Sequence, residues 1–296
     1  VGLAVGFHHG MLVDPDGRAR SWGEGDIGQL GNGSNQDIAV PQVIPSLAME
    51  RAVCVSVGVK FSIVQTAAGT LYSFGDNTYG QLGLGHTEAV NVPRQVAIDA
   101  VKSLSAGAFH VTAITTDGSL WSWGMNRYGQ LGHDDDETRT MPTAVASIAD
   151  LTVKQVAAGF GCTLLIDADG ALWITGQMRI FGPGVSSTTF TRVQIPGTPS
   201  RPPLRFAAVS VGDDHALAVT TDGGLFSCGS GEHGKLGHGS TEDDDVLRQV
   251  LALKDVPIAS AVAGSWTSFA LARSGEMWSW GTGLVLGHGV DDDYHR

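Results

Sequence analysis

Short stretches of alternating apolar and polar residues recur along the chain and are separated by glycine-rich segments. In one unit, "ALAVT" (216–220) and "LFSC" (225–228) flank Asp222-Gly223, which predicts two strands joined by a tight hairpin of type I′. "VSV" (209–211) precedes this hairpin and "LRQVL" (247–251) follows it. The pattern therefore predicts four short strands in each unit.

This unit occurs six times, and three glycines mark its register in every copy. The second glycine lies 11 residues after the first, the third lies six residues further on, and successive first glycines are 49 to 53 residues apart. The positions are Gly6, Gly17 and Gly23; Gly58, Gly69 and Gly75; Gly107, Gly118 and Gly124; Gly159, Gly170 and Gly176; Gly212, Gly223 and Gly229; and Gly264, Gly275 and Gly281. The predicted repeats are approximately 1–51, 52–100, 101–152, 153–205, 206–257 and 258–296.

Six four-stranded units with a period near 50 residues predict an all-β fold, a β-propeller of four-stranded blades, forming a single domain over residues 1–296. A β-solenoid would use shorter coils, and separate sandwich domains would need roughly 100 residues each. A proline leads the fourth stretch in "PQVI" (41–44) and "PRQVA" (93–97), which is typical of an outer strand. The sixth repeat stops before its fourth strand, so we expect a three-stranded blade and a ring that is not fully closed within this chain.

Aromatic residues fill two columns of the third strand. Because strand side chains alternate, residues two apart share a face, and we predict that both columns pack between blades. The column beside the third glycine holds Trp22, Phe74, Trp123 and Trp280, and the column two residues earlier holds Tyr72, Trp121, Trp173, Phe226 and Trp278. Six of the seven tryptophans lie in these columns, which leaves Trp266 as a candidate for another role.

A glycine-rich loop follows the third strand, as in "DNTYGQLGLG" (76–85), "MNRYGQLGHD" (125–134) and "GEHGKLGHGS" (231–240). Each blade must turn from an inner strand to its outermost strand over the same distance, and glycine accepts a positive φ without strain. Strand direction then places this loop beside the turn that follows the first glycine. We call this end of a blade the turn–loop edge, and the end with the Asp-Gly hairpin the hairpin edge.

Charge and composition narrow the function. The chain has 18 Lys and Arg against 30 Asp and Glu, for a net charge of −12, and no basic cluster, which argues against nucleic-acid binding. No apolar run approaches the ~20 residues of a membrane span, and no secretion signal is visible, so we expect an intracellular protein of the cytoplasm, nucleus or an organelle. Cys54, Cys162 and Cys228 have no metal-site or disulfide spacing, so free thiols are predicted and no cofactor.

Residues of the first turn are the main candidates for binding a protein partner. The two positions after the first glycine should face solvent, and an exposed aromatic residue there could anchor a partner. They include Phe7, His8, Lys60, Phe109, Phe160, Asp213, Asp214 and Trp266. The third position holds His9, His110 and His215, whose imidazoles either bond to neighbouring backbone or belong to the binding surface.

Three acidic runs follow the glycine loop of copies three, five and six. They are Asp134, Asp135 and Asp136; Asp243, Asp244 and Asp245; and Asp291, Asp292 and Asp293. They are either solvated loop charges or a binding patch for a partner with a basic surface. Calcium binding is a third reading, although the spacing D-x-D-x-D-G is absent. No G-x-S-x-G, His-x-x-x-His or phosphate loop is present, so we predict no enzymatic activity.

Two stretches carry a family resemblance, "GTLYSFGDNTYGQLGLG" (69–85) and "DGSLWSWGMNRYGQLGH" (117–133). Both resemble the repeat of the regulator of chromosome condensation. The resemblance implies a propeller, usually of seven blades. It also implies nucleotide exchange on a Ran-type GTPase, docking of partners in ubiquitin ligases and ciliary proteins, or ultraviolet-B sensing in plants. In the exchange factor, histidines of the first turn belong to the GTPase-facing surface.

This chain departs from that pattern in its loops. No repeat interval exceeds 53 residues, so the inserted β-wedge of the exchange factor is absent, and copies four and six have shorter glycine loops. The predicted function is therefore an interaction scaffold that docks another protein. The alternatives are a guanine nucleotide exchange factor or other regulator of a small GTPase, which would then be the partner, and a metal-dependent propeller enzyme.

Overall fold

The computed structural model describes residues 2–177, 186–195, 203–282 and 286–287. These residues form six antiparallel sheets, five of four strands and a last one with three described strands. Within each sheet the strands are neighbours in chain order. The protein is thus an all-β, six-bladed β-propeller, as the repeat predicts. Among the described residues, no helix is long and apolar enough to cross a membrane.

Each sheet is one blade. Blade 1 contains β1 (Leu3–Val5), β2 (His9–Val13), β3 (Ala19–Gly23) and β4 (Ile38–Val43); blade 2 contains β5 (Ala52–Val57), β6 (Phe61–Thr66), β7 (Leu71–Gly75) and β8 (Val90–Gln95); blade 3 contains β9 (Val101–Ala106), β10 (His110–Thr115), β11 (Leu120–Gly124) and β12 (Arg139–Ala144). Blade 4 contains β13 (Val153–Ala158), β14 (Cys162–Asp167), β15 (Leu172–Gln177) and β16 (Ser186–Arg192); blade 5 contains β17 (Phe206–Val211), β18 (His215–Thr220), β19 (Leu225–Gly229) and β20 (Asp244–Gln249); blade 6 contains β21 (Ile258–Ala263), β22 (Thr267–Ala272) and β23 (Met277–Gly281). Short 3-10 helices lie at Pro45–Leu47, Ala146–Ile148, Glu232–Gly234 and Leu251–Leu253.

The chain divides into two compact units. The first consists of Val1–Arg127 and Asp135–Asp150, and the second of Tyr128–Asp134 and Leu151–Arg296. Blades 1, 2 and 3 belong to the first unit, and blades 4, 5 and 6 to the second, together with the middle of the blade-3 loop. The single domain over 1–296 and the incomplete closure of the ring stay predictions.

The hairpin between the second and third strands differs from the predicted type I′ turn. In blade 5, the amide of Gly223 donates to the carbonyl of Thr220 (2.9 Å), and the amide of Thr220 donates to Gly224 (2.8 Å). Gly223 has a φ of 98°, whereas Asp222 keeps a negative φ. Since type I′ needs a positive φ at both central residues, this is instead a three-residue loop with glycine in the left-handed position.

The prolines of the outer strands lie inside the strand rather than leading it. In blade 2, Tyr72 faces Gln95 and Ser73 faces Arg94, and pairing then resumes at Gly75 with Val90. Pro93 falls within this irregular stretch, where its missing N–H does not interrupt the ladder. The strand therefore begins three residues earlier than the position of its proline suggests.

The core consists of side chains packed between neighbouring blades. Between blades 2 and 3, Trp123 and Val111 pack with Ile63 and Leu71, and all four are 0% exposed. Phe74 and Trp280, in the same column as Trp123, are also buried, which confirms the core prediction for them. Removal of each such ring from water contributes a few kcal/mol of stability.

The core prediction is wrong for Trp278, which is 42% exposed. In blade 3, the equivalent Trp121 is half-buried and lies opposite Ala144 of the fourth strand. No fourth strand is described beside Trp278. Its neighbour Met277 is 75% exposed.

Candidate functional site

The first turn and the glycine loop meet at the same end of every blade, as the strand directions predict. In each copy, the amide that follows the third glycine donates to the carbonyl of the second turn residue, with N···O distances of 2.8 to 3.1 Å. The donor and acceptor pairs are Glu24 and His8, Asp76 and Lys60, Met125 and Phe109, Gln177 and Gly161, Ser230 and Asp214, and Thr282 and Trp266. The turn–loop edge is therefore a repeated, hydrogen-bonded unit.

The glycine loops of blades 1, 2 and 5 also contact the next blade. The Ser62 hydroxyl donates to the carbonyl of Gln29 in the preceding loop (2.8 Å), and the Trp123 indole donates to Gln81 (3.0 Å). In the second unit, the Ser268 hydroxyl and the Trp280 indole both donate to the carbonyl of Lys235 (2.7 and 2.8 Å). This contact between blades is a second reason for the recurrence of the loop, and the sequence reasoning missed it. The signal lay in the recurring Ser and Trp positions.

The turn histidines are buried inside this contact. His9 is 3% exposed, and His110 and His215 are 0% exposed. Nε2 of His9 lies 2.9 Å from the hydroxyl of Ser62, and His215 has the same relation to Ser268 (2.9 Å). Because these hydroxyls donate their protons to loop carbonyls, Nε2 must be the donor in both pairs.

Burial also fixes the charge of these histidines. It lowers the pKa of His9 to about 4, and those of His110 and His215 to about 3. All three are therefore neutral at pH 7, and His9 and His215 join neighbouring blades. For His9 and His215 the side-chain partner is a serine of the next blade. Their burial leaves all three out of the exposed surface.

The first two turn positions differ widely in exposure. Trp266 is 58% exposed, Phe7 is 51% exposed and Phe160 is 37% exposed. His8 is exposed, whereas Lys60, Phe109, Asp213 and Asp214 are half-buried. Lys60 pairs with Asp26 (2.7 Å) and Glu24 (3.4 Å) of the blade-1 loop, so its charge is already balanced within the first unit.

The loop of blade 5 departs from the repeat at Lys235. In blade 2, Gln81 at the equivalent position donates to Asp76 of its own loop (2.8 Å). Lys235 is 0% exposed, and its Nζ lies 2.9 Å from the Oδ1 of Asp214 in the first turn. A buried ammonium needs a carboxylate partner. In blade 2 the loop residue Asp76 is the partner of Gln81, whereas in blade 5 Asp214 of the first turn is the partner of Lys235.

Asp213 lies beside this pair. Burial raises the pKa of its carboxyl group, and the negative charge of Asp214 raises it further, whereas a hydrogen bond from Ser265 and the charge of Lys235 oppose the shift. Ser265 is the residue before Trp266. The hydrogen bond from Ser265 joins the first turns of blades 5 and 6, and two carboxylates with one buried ammonium leave the blade-5 turn with an excess of negative charge.

Aromatic rings pair across neighbouring blades on the turn–loop edge. In the first unit, Phe109 contacts Tyr79 edge to face, with ring centroids 5.5 Å apart. In the second unit, Trp266 lies 6.5 Å from the ring of His233 at an angle of 54°. Trp266 keeps more of its ring in solvent than Phe109, so it is the stronger candidate for contact with a partner.

Part of each described acidic run serves the fold. Asp135 pairs with Arg139 (2.6 Å), and Asp244 pairs with Arg248 (2.8 Å). Asp243 accepts a hydrogen bond from the amide of Gly231 (2.9 Å). Asp135, Asp243 and Asp244 thus also stabilise their own loops, and their contact with a partner stays a prediction.

The remaining acidic residues divide into exposed and undescribed ones. Asp134, Asp136 and Asp245 are exposed. Asp291, Asp292 and Asp293 lie outside the described residues. Within the described part of the chain, no group of three or more His, Cys, Asp or Glu residues is placed to hold a metal ion.

Comparison with known families agrees with this geometry. The regulator of chromosome condensation (RCC1) repeat matches residues 16–65, 68–114, 117–166 and 222–271, and a second description of the same repeat matches 52–81, 101–130 and 206–235. The chain belongs to the RCC1 repeat family. The matched ranges include the glycine loops of blades 1, 2, 3 and 5.

This chain matches only part of the length of each of the following curated relatives. The mitochondrial RCC1 domain-containing protein RUG3 of Arabidopsis thaliana is 29% identical over 98% of this chain and 67% of its own length. The ultraviolet-B receptor UVR8 of the same plant is 30% identical over 94% of this chain and 64% of its own length. The mouse E3 ubiquitin-protein ligase HERC2 is 32% identical over 95% of this chain, which is 6% of that protein.

Solved structures with low sequence identity show the same fold. Human WBSCR16 has a TM-score of 0.86 at 21% identity, and covers 100% of this chain and 80% of its own. Prp20p of Saccharomyces cerevisiae has a TM-score of 0.82 at 23% identity, and covers 99% of this chain and 75% of its own. At these identities the likeness concerns the fold alone.

Proposed function

We propose that this RCC1-repeat protein is a non-catalytic docking protein, which binds a partner with a basic surface at the turn–loop edge of blades 5 and 6. The observation that carries the proposal is the position of Trp266, which is 58% exposed and follows Ser265, the hydrogen-bond partner of the half-buried Asp213. The nearby ammonium of Lys235 is fully buried, so solvent meets the carboxylates and the indole.

The two features would contribute differently to binding. A large, rigid aromatic side chain that becomes buried in an interface supplies much of the affinity, and tryptophan is among the commonest such residues. Exposed carboxylates mainly accelerate encounter with a basic partner, and salt screens them over a Debye length of roughly 8 Å near physiological ionic strength. Binding should therefore weaken at raised salt but depend on Trp266 at every salt concentration.

The turn–loop edge of the first unit is proposed as a second contact surface. Its exposed members are Phe7, His8 and Asp136, with Phe109 half-buried. Phe160 and Asp134 are exposed on the second unit. All of these residues are proposed as weaker contacts than Trp266, because no other exposed ring among them follows a turn with two carboxylates.

The experiment is capture of partners from native extract on immobilised protein, with quantification of each captured protein. Trp266→Ala removes the anchor, and Glu242→Gln with Asp245→Asn removes exposed charge without touching Asp243 or Asp244. Met49→Ala is the matched control, since Met49 is 98% exposed and lies in the connection between blades 1 and 2. The proposal is supported if the Met49→Ala variant captures a partner that the Trp266→Ala variant does not capture. Identical capture by all variants at low and raised salt contradicts it.

Regulation of a small GTPase is the second candidate function. It rests on the family and on the fold shared with Prp20p, whose structure is described with its binding to Gsp1p and histones. The discriminating assay loads a captured GTPase with fluorescent GDP and follows nucleotide release. Acceleration that Trp266→Ala abolishes favours the regulator, and binding without any change in release favours the docking protein.

A further inference from the structure

We propose that the turn–loop edge of blades 5 and 6 receives one arginine side chain of the partner, with its guanidinium stacked on Trp266 and paired with Asp213. This inference rests on the proposed function and names the group that the surface recognises. The surface consists of Asp213, Asp214, Glu232, His233 and Trp266, and we call it the Trp266 niche.

Charge complementarity indicates a cation as the occupant. Asp214 has its countercharge in Lys235, at 2.9 Å from a fully buried Nζ. Asp213 has a hydrogen bond from the Ser265 side chain and shares the charge of Lys235 with Asp214, so two carboxylates have one ammonium between them. Glu232 adds an exposed carboxylate whose Oε1 lies 3.8 Å from the Nε2 of His233. A bound cation would relieve the excess negative charge at a partly desolvated position.

The indole selects arginine over lysine. A guanidinium is planar, stacks on an aromatic face and presents a fork of donors that matches a carboxylate, whereas an ammonium is a strongly hydrated point charge. Trp266 is 58% exposed and is held from one side by the tilted ring of His233. The backbone of Trp266 is fixed, because its carbonyl accepts the amide of Thr282 (3.1 Å).

The corresponding turn in blade 3 lacks this combination, which makes it an internal control. Phe109 occupies the position of Trp266, but it is half-buried and packs edge to face on Tyr79. The preceding turn, in blade 2, carries Lys60 in place of Asp214. Blades 5 and 6 together have the acidic turn, the buried lysine and the exposed indole. Blades 2 and 3 do not have these three features together.

The test is an NMR titration of the ¹⁵N-labelled protein, read at the tryptophan indole N–H signals. The probes are three capped pentapeptides, Gly-Gly-Xaa-Gly-Gly, in which Xaa is arginine, lysine or citrulline. Trp266→Phe assigns the Trp266 signal. We expect a saturable shift of this signal with the arginine peptide. We also expect the apparent affinity to be at least tenfold lower for citrulline, which keeps the shape and loses the charge, since a charge-assisted hydrogen bond contributes about 1.5 kcal/mol or more.

Variants locate the contact. Asp213→Asn should lower the affinity for the arginine peptide by about tenfold. Asp255→Asn, which removes an exposed carboxylate near the hairpin edge, should leave the affinity unchanged. The buried indoles of Trp123 and Trp280 report folding, because each donates to a loop carbonyl of the preceding blade. An equal response to citrulline, or an unchanged affinity in Asp213→Asn with both buried signals in place, overturns the proposal.

This outcome is separable from that of the proposed function. If Trp266→Ala loses a captured partner but the arginine peptide does not shift the indole signal, the proposed docking function is supported and the proposed binding of arginine is wrong. If the peptide binds as expected and no partner depends on Trp266, the niche stands and the docking function is wrong.

Discussion

The indole of Trp123 in blade 3 donates a 3.0 Å hydrogen bond to the carbonyl of Gln81, in the glycine loop of blade 2. The same relation joins Trp280 to Lys235 in the second unit, at 2.8 Å. A loop that first looks like a solvent-exposed connection is thus an acceptor for the side chain of the next blade. The turn–loop edge is held rigid by this contact, and a rigid edge can present Trp266 to a partner at low entropic cost.

Removal of the Trp123 ring should strongly destabilise the fold. Trp123→Ala deletes a fully buried side chain and its hydrogen bond, and we expect the free energy of unfolding to fall by about 3–5 kcal/mol. Trp266→Ala, which removes an exposed ring of the same size, should change it by less than about 1 kcal/mol. Urea unfolding of the two variants beside the wild type measures the difference, and equal losses would show that the two rings do not differ in role.

Alanine substitutions at two glycines of blade 2 distinguish the effect of steric crowding on stability from that of backbone strain. Gly83 has a φ of 72°, and an added Cβ would lie 2.8 Å from Nε1 of Trp123. Gly69 has a φ of 85°, and nothing lies within 4 Å of its added Cβ. Gly69→Ala should cost about 1 kcal/mol from the left-handed conformation, and Gly83→Ala about 1–3 kcal/mol more. Equal melting temperatures for the two variants would contradict packing of the indole on the loop.

The pair of Lys235 and Asp214 should be coupled in stability. Asp214→Asn leaves a buried ammonium without its carboxylate, and we expect a loss of about 2 kcal/mol, less than for a fully buried pair because the Asp214 side chain is 33% exposed. Lys235→Gln restores the residue found in blades 1, 2 and 3 and should be milder. A double-mutant cycle in which the two losses simply add would show that the pair is not coupled.

Buried histidines predict a pH dependence of stability. Folding lowers their pKa values from 6.5 to about 3 or 4, so between those values the unfolded chain binds more protons and stability falls as the pH drops. Each buried histidine should lower the free energy of unfolding by about 2 kcal/mol between pH 7 and pH 5. His110→Phe copies Phe61, which occupies the same position in blade 2, and should reduce the decrease by that amount in urea unfolding at both pH values. An unchanged decrease would mean that His110 is not buried as a neutral group.

The sequence predicted the fold because its repeat is strict and each glycine has a local backbone role. It did not predict the turn geometry at Gly223 or the strand position of Pro93, because both depend on register between strands rather than on residue type. Packing of Trp123 was predictable from strand alternation, whereas the exposure of Trp278 depends on what covers the outer part of blade 6.

The candidate site was predicted less completely. Trp266 was identified as the tryptophan outside the core columns, and Asp213 and Asp214 by their turn position. The role of Lys235 was missed, because a single Gln-to-Lys difference in a loop gives no indication that the side chain is buried. The turn histidines were assigned as candidates for contact with a partner, and the structure instead uses His9 and His215 between blades, where a serine of the next blade bonds them.

Hydrogen–deuterium exchange of the protein with and without a captured partner tests the central claim most directly. The account predicts slower exchange in peptides that cover residues 213–215, 230–235 and 264–267, with no change in the hairpin-edge segments 221–224 and 273–276. The same protection should disappear with Trp266→Ala. Protection confined to the hairpin edge, or protection at the turn–loop edge that Trp266→Ala leaves intact, would contradict the proposal that this edge of blades 5 and 6 binds the partner.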